Sequence, residues 1–350
     1  MQNEMEVVLN RIFETNLGYL ARWDTLLANH VSMAAAAMFL MGERSGVRPS
    51  KLLDDAACNT RNLSPRRTNA GAIAFERLPW PVQRELLGLD DLWESWEALF
   101  IQEFDGDDLD EPIRRWVERL GFGLCAAAGH SIIRIHFALA VREVLAKRIL
   151  RRELAIAFAD LASRYTILTA NDFAAGEESL EAFLDNHPSP PDAVTDLVCS
   201  GMLIEDRFLL LRTDDLFRQT AIGISLDYDI LECLRRLASL VGEDFDITLL
   251  HAITVGEAVH GICTCLSNFD ARSLLQGYRD FVVATVFASG LQNTILGRKP
   301  QTSIDAVFAR VPTLATDHAQ KATFSLTRLF EETGYSEFVE AARHFQDALG

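Results

Sequence analysis

Apolar residues recur at helical spacing along most of this chain, and that periodicity restricts the fold more than any other feature. One helix is predicted over residues 4–20. A second is predicted over residues 26–42, where four consecutive alanines favour close approach of another helix. Only residues 203–211 carry a strand signal, and strands do not alternate with helices as a doubly wound sheet requires. The sequence therefore predicts an all-α fold.

The remaining helices are predicted from the same spacing. Their expected positions are residues 50–57, 79–100 after an initial turn, 113–148 with a break at 121–123, 152–165, 217–241, 247–266, 271–296, 303–309, 316–333 and 336–348. With 350 residues, of which 49% are hydrophobic, the chain is long enough to bury a large core. We predict one large multi-helix domain over residues 1–350, with a loop-rich insertion at about residues 43–80.

The acidic composition of the chain narrows the range of its partners. The formal net charge is −17, which argues against binding to nucleic acid or to an anionic membrane surface. The N-terminal segment lacks the basic start and the apolar centre of a signal peptide. The longest apolar runs, at residues 33–41 and 122–133, are too short to span a bilayer. We therefore expect a soluble protein.

Cysteine usage indicates a reducing compartment. Only two of the six cysteines lie close together in the sequence, and their C-T-C spacing is typical of neither a zinc site nor a redox motif. Free thiols and a cytoplasmic location are therefore expected. The six are Cys58, Cys125, Cys199, Cys233, Cys263 and Cys265.

Five of the eight histidines lie in apolar helical segments. A single histidine in such a place is usually a core residue bonded to a backbone carbonyl. Several on different helices indicate a shared metal, because one ion is a polar partner for all of their imidazoles. No HExxH motif, repeated ExxH pair, GxGxxG motif or P-loop accompanies them. The five are His30, His130, His136, His251 and His318.

One lysine belongs with these histidines. His318 and Lys321 are three residues apart in the helix predicted over 316–333, with Thr316 or Asp317 as its N-cap, so both side chains lie on one face. That face is either solvated or buried. A buried lysine needs a partner or a chemical modification, because a bare ammonium group is costly to bury. Spacing alone leaves both alternatives open.

Four segments of the chain resemble motifs of the questin oxidase-like family. Asn29-His30 in LLANHVSMAAAAMFLMG resembles the NHxPM signature of that family. GHSIIRIHFAL (129–139), HAITVGEAV (251–259) and TDHAQKATFSLTRLFEETG (316–334) resemble its HGLIRxxH, HAVT and (D/E)HxxK segments. Their order and separations also fit, so the resemblance covers nearly the whole chain.

This resemblance implies both a function and a set of metal ligands. The family is associated with oxygenation of aromatic polyketides, by ring opening or by Baeyer–Villiger-type oxygen insertion. One branch holds a mononuclear non-heme iron with histidines and a carboxylated lysine. Carried over by position, this implies Fe(2+) and a carbamate on the lysine, with dioxygen and an aromatic small molecule as partners. The implied ligands are His30, His130, His251, His318 and Lys321.

Arg134 and three departures from the family motifs bear on the substrate. Arg134 lies one helical turn after His130, where it would hold a substrate phenolate or carboxylate; the alternative is a structural ion pair. Ser32 and Ser131 replace the proline and the glycine of the family motifs. The later histidine of the second segment falls one residue early, at His136, so we give it no ligand role.

Two other functions stay open at this stage. One is an NADPH-dependent Baeyer–Villiger-type monooxygenase without a bound metal, although the sequence has no nucleotide-binding fingerprint. The other is a non-enzymatic helical protein that binds an apolar ligand or a partner subunit, for which the 21 phenylalanines offer a lining.

Overall fold

The computed structural model describes residues 2–23, 27–61, 63–66, 73–169, 176–186, 202–241, 247–289 and 302–350, and within them the protein is all-α. Its helices, in chain order, are α1 (Gln2–Asn16), α2 (Val31–Leu40), α3 (Gly42–Ser45), α4 (Pro49–Thr60), α5 (Trp80–Glu85), α6 (Trp93–Glu103), α7 (Asp110–Leu120), α8 (His130–Ala140), α9 (Lys147–Ser163), α10 (Leu180–Asn186), α11 (Ile204–Leu211), α12 (Asp215–Gly223), α13 (Ile230–Ser239), α14 (Ile247–Cys265), α15 (Arg272–Ser289), α16 (Ile304–Arg310), α17 (Asp317–Thr333) and α18 (Ser336–Leu349).

The helical pattern predicted the element type better than the element ends. In α1, the side chains of Met5, Leu9 and Phe13 are buried on the expected face. The second helix begins at Val31 rather than residue 26, because the chain before it forms a minimal antiparallel pair of strands, β1 (Arg22–Trp23) and β2 (Leu27–Ala28). The backbone hydrogen bonds of such a pair replace those of a helical turn.

Residues 203–211 form a helix, so the strand prediction there is wrong. Within α11, Phe208 and Leu211 are buried, whereas Leu209 and Leu210 are more than 40% exposed. Residues three apart in a helix share a face, and this one packs against α15. The three consecutive leucines at residues 209–211 hide this amphipathic pattern in the sequence.

The helical pair predicted over residues 113–148 has a longer break than the one predicted at 121–123. Helix α7 ends at Leu120, and two 3₁₀ turns follow, at Gly121–Gly123 and Ala126–Gly129, before α8 begins at His130. The second turn contains two alanines with left-handed backbone angles, which no stretch of α-helix accommodates.

Four helices, α2, α8, α14 and α17, form the centre of the fold, and we call them the central helices. Helix α2 packs against α8 and α17, and α14 packs against the same two, so the four close into a ring. Helix α14 has the length and composition of a membrane-spanning helix, but 78% of that window is buried inside the protein. It is therefore placed as a core helix, which is compatible with a soluble protein.

Cysteines contribute no cross-link to this part of the chain. The five within the described ranges, Cys58, Cys125, Cys233, Cys263 and Cys265, are free thiols. Cys199 lies outside those ranges.

Candidate metal centre

The N-terminal ends of the central helices carry four histidines. His30 is the N-cap residue of α2, and His130 is the first residue of α8. His318 is the second residue of α17, and His251 lies in the second turn of α14. Because a helix N-terminus has a partial positive charge, four of them together favour neutral imidazoles and anionic partners.

These four imidazoles lie against one another. The ligand atoms of His30, His130 and His318 are all within 4.8 Å of each other. The rings of His30 and His130 stack with centroids 4.5 Å apart. The ring of His251 lies 4.6 Å from that of His130 and 5.7 Å from that of His318. The structure thus brings together all four histidines that the sequence nominated as ligands.

Asp317 joins two of these histidines. Its Oδ2 lies 2.5 Å from Nδ1 of His30, and its Oδ1 lies 3.1 Å from Nδ1 of His318. Thr316, rather than Asp317, caps α17, because the Thr316 hydroxyl accepts from the backbone N–H of Ala319. Oδ1 of Asp317 also accepts a hydrogen bond from the backbone N–H of His318, at 2.8 Å, so the carboxylate engages both imidazoles and the start of α17.

Two backbone carbonyls engage the other two histidines. Nδ1 of His130 lies 2.5 Å from the carbonyl oxygen of Ala127, and Nδ1 of His251 lies 2.9 Å from that of Ala128. A carbonyl oxygen only accepts, so in each pair Nδ1 carries the proton and donates. In both rings the lone pair is therefore on Nε2.

The backbone that supplies these carbonyls has an unusual conformation. Ala127 and Ala128 have φ angles of 52° and 53°, in a region that costs an L-residue about 1–2 kcal/mol. Gly129 follows at φ +82°, and a Cβ on it would lie 2.2 Å from Cγ2 of Val255 in α14. Glycine is thus required at Gly129 both by conformation and by space.

The geometry of these hydrogen bonds fits a metal site. Histidines that bind metals usually donate their other ring N–H to a carboxylate or a backbone carbonyl, and all four Nδ1 atoms here face such an oxygen. Nε2 of His30 and Nε2 of His130 are buried without a hydrogen-bond partner. A buried acceptor without a partner is costly, and a metal ion at this point would satisfy both atoms.

Burial sets the protonation states of the cluster. It lowers the pKa of His30 to about 3, with help from the charge of Lys321, and it holds the pKa values of His130 and His251 well below the usual range. Burial would raise the pKa of Asp317, but its interactions with His30 and His318 outweigh this and lower it. Neutral imidazoles beside an ionised carboxylate are the forms that bind metal ions.

Lys321 is buried beside the histidines, so its helix face is not solvated. Its side chain is 3% exposed, and it forms no hydrogen bond or ion pair with the described residues. Burial lowers its pKa to about 8, against the opposing charge of Asp317. Its charge lowers the pKa values of all four histidines.

Arg134 is not part of the cluster. Its Nε and Nη2 donate to the two carboxylate oxygens of Glu153 in α9, at 2.7 and 2.9 Å, and both side chains are buried. This is the structural ion pair that the sequence left as an alternative. We therefore correct the assignment of Arg134 as a substrate-binding catalytic residue.

Asp317 is the residue that sequence reasoning missed. It was considered there only as a helix cap, although it directly precedes His318 and occupies the acidic position of the (D/E)HxxK segment. His136 lies apart from the cluster, with Nε2 3.1 Å from Oε1 of Glu257 and from Nη1 of Arg328. Leaving His136 without a ligand role agrees with this placement.

Neither a protein-family model nor a curated protein sequence matches this chain. The resemblance to the questin oxidase-like family therefore rests on the four segments alone and stays a prediction.

Proposed function

We propose that this protein is a non-heme, metal-dependent oxygenase, with Fe(2+) as the expected metal. The proposed substrate is an aromatic or polyketide-like small molecule, attacked by C–C cleavage or oxygen insertion. The observation that carries the proposal is that four imidazoles, one buried and three half-buried, each present Nδ1 to an oxygen. The proposed ligands are His30, His130, His251, His318 and Lys321.

The residues present fit an iron ion. Neutral imidazoles suit iron among other first-row metals, and the ionised Asp317 beside them offsets part of a divalent charge in a buried setting. When bound, the ion would supply a redox centre for the activation of dioxygen. The surrounding helices bury His251 and Lys321 and leave the other histidines and Asp317 half-buried. Reduced contact with water strengthens the electrostatic interactions at the centre.

Lys321 is proposed to carry a carbamate. The neutral amine nitrogen would attack the carbon of carbon dioxide. A C–N bond forms, one C=O π bond opens to leave its electron pair on a carboxylate oxygen, and one proton leaves the nitrogen for solvent. A pKa of about 8 leaves an appreciable neutral fraction near physiological pH. The product would be an anionic oxygen donor in place of a buried cation, and its charge suits the four helix N-termini.

Metal content tests the ligand assignment. Protein purified without chelators or a histidine tag is expected to contain about one iron per chain by elemental analysis. His130→Ala and His318→Ala are expected to lose it. His260→Ala is the matched control, since His260 lies on the same helix as His251 but pairs with Glu332 at the surface. Full metal content in both ligand variants would overturn the assignment.

Dioxygen uptake with polyphenolic substrates tests the reaction. We expect uptake that depends on both substrate and iron, and that the His318→Ala variant lacks. Substrate-dependent NADPH oxidation by the metal-free protein would instead favour the monooxygenase alternative. Absence of metal after anaerobic reconstitution, without any turnover, would favour the ligand-binding alternative.

A further inference from the structure

A pocket of about 780 Å³ opens between α5, α7 and the segment that follows α9. None of the residues of the candidate metal centre lines it. Its described walls combine aromatic rings with guanidinium groups, a lining that differs from the apolar core around it. The aromatic and basic members are Trp80, Phe122, Tyr165, Arg84, Arg119 and Arg212.

The charge of this pocket is opposite to that of the whole protein. Three arginines line it, and Glu118 is the one carboxylate among the described lining residues. Oε1 of Glu118 accepts a hydrogen bond from the backbone N–H of Asp270, at 2.9 Å, outside the pocket lining. The whole chain has a net charge of −17. The three arginines therefore make the pocket a local region of positive charge, which would attract a small anion.

Two of these arginines have no acidic partner among the residues that the structure describes. Within the part of the chain that the structure describes, no carboxylate lies within 4.0 Å of the guanidinium nitrogens of Arg119 or Arg212, and Arg84 approaches Glu85 only at 3.9 Å. By contrast, all three arginines of the pocket beside α17 pair with carboxylates. Of these two pockets, the first is therefore the one with arginines that have no acidic partner among the described residues.

Stacking holds Arg119 in place. Its guanidinium carbon lies 4.7 Å from the ring centroid of Trp80 and 4.9 Å from that of Trp116, and the two indoles meet edge to face. Such cation–π contacts orient a guanidinium without using its N–H donors. Burial and the charge of Arg115 lower the pKa of Arg119, so an anion beside it would be stabilising.

Two glycines, Gly88 and Gly123, allow the wall of the pocket that contains Tyr165 to pack closely, because neither has a side chain. A Cβ on Gly123 would lie 2.1 Å from Cδ2 of the Tyr165 ring, which therefore packs directly against that backbone. Gly88 has φ +77°, and its Cβ would lie 2.8 Å from the carbonyl oxygen of Tyr165. The aromatic wall is thus set by close backbone contacts rather than by a free side chain.

We propose that this pocket binds a planar aromatic anion, such as an aromatic carboxylate, sulfonate or phosphate ester. The ring would lie against the aromatic walls, and the anionic group would accept hydrogen bonds from Arg119 and Arg212. A volume of about 780 Å³ suits a small organic ligand. The inference uses no residue of the metal centre and does not depend on the proposed oxygenase activity.

Titration with naphthalene sulfonate, followed by Trp fluorescence and calorimetry, tests this proposal. We expect one site per chain and affinity that falls as salt is added. Arg119→Gln and Arg212→Gln are each expected to weaken binding roughly tenfold. Arg218→Gln is the matched control, because Arg218 is exposed and paired with Asp215. Circular dichroism verifies that Arg119→Gln folds, and the exposed Arg212 provides a second, independent variant.

Two further probes test the aromatic ring and the anionic group of the ligand separately. Uncharged naphthalene methanol and inorganic phosphate are each expected to bind more weakly than the sulfonate. Equal binding of the uncharged ring would overturn the role of the arginines, and equal binding of phosphate would overturn the role of the aromatic walls. Loss of sulfonate binding in a folded His130→Ala variant would overturn the separation of this pocket from the metal centre.

Discussion

Oδ2 of Asp317 lies 2.5 Å from Nδ1 of His30, although the two residues are 287 positions apart in the chain. The contact joins the first turn of α17 to the N-cap of α2. Because the other oxygen of Asp317 faces His318, one carboxylate sets the ring orientation of two candidate ligands. Replacing residues that orient metal ligands in this way typically weakens metal affinity about 10–100-fold.

Asp317→Asn tests this orienting role. The amide keeps the size of the side chain but lacks one acceptor oxygen and the negative charge, so we expect affinity for Fe(2+) to fall about 10–100-fold. Titration of the metal-free protein measures the effect. Asp305→Asn is the control, because Asp305 is 88% exposed and pairs with Arg44. Equal affinities in the two variants would contradict the role.

Lys321→Met separates metal binding from folding. Methionine fills a similar volume without a buried amine, so the metal-free variant is expected to be between unchanged and about 4 kcal/mol more stable. Its metal content and turnover are expected to fall, and excess bicarbonate is not expected to restore them. In the unmodified protein, isotope-labelled bicarbonate is expected to give a carbamate signal by NMR. Unchanged turnover in the variant would remove Lys321 from the site.

Ala128→Gly tests the strained turn. Glycine at the left-handed angle relieves about 1–2 kcal/mol, and loses about 0.5–1 kcal/mol because it gains freedom in the unfolded chain. We therefore expect denaturant unfolding to give equal or slightly higher stability. Ala138→Gly, inside α8, is the control and is expected to cost about 1 kcal/mol. Equal losses at both positions would argue against strain at Ala128.

Glu257→Gln tests a second buried cluster, next to α17. Burial would raise the pKa of Glu257, but interactions with His136 and Arg328 outweigh this and lower it below 4.5. A lowered pKa in the folded state means that the carboxylate contributes stability above pH 4.5, which is lost as the pH falls through the folded pKa. The variant is expected to be about 1–3 kcal/mol less stable at neutral pH.

The difference in unfolding free energy between this variant and the unmodified protein is therefore expected to shrink below pH 4.5. The control is Glu111→Gln, which removes an exposed partner of Arg115 and is expected to change stability little at any pH. A Glu257→Gln difference that stays constant from neutral to acid pH would contradict the lowered pKa.

The sequence could predict that most of these segments are helical, because amphipathic spacing is a local property. The buried face of α1 was visible in that way, and so was the start of α17, although the sequence left Thr316 and Asp317 as alternative caps. The break at 121–123 was predicted, but its extension to Gly129 was not, because the left-handed angles of Ala127 and Ala128 depend on packing of Gly129 against α14. No local preference of alanine indicates such a conformation.

Part of the candidate metal site was also predictable, because residue type and motif can be read locally from the sequence. The histidines and Lys321 were recognised by residue type and motif, and their convergence depends on how the central helices pack. The sequence did not decide between the two roles considered for Arg134, because its partner Glu153 lies on the next helix, 19 residues away. Asp317 was overlooked because an acidic residue at the start of a helix already has an ordinary explanation.

The main-chain carbonyls of Ala127 and Ala128 have a consequence for relatives of this chain. Every amino acid has such a carbonyl, so the residue types at these two positions do not reveal that the carbonyls accept hydrogen bonds from His130 and His251. A relative with different residues at both would keep this half of the imidazole environment if the turn ended in glycine. A comparison that scores residue identity would count those positions as divergent, although their chemistry is the same.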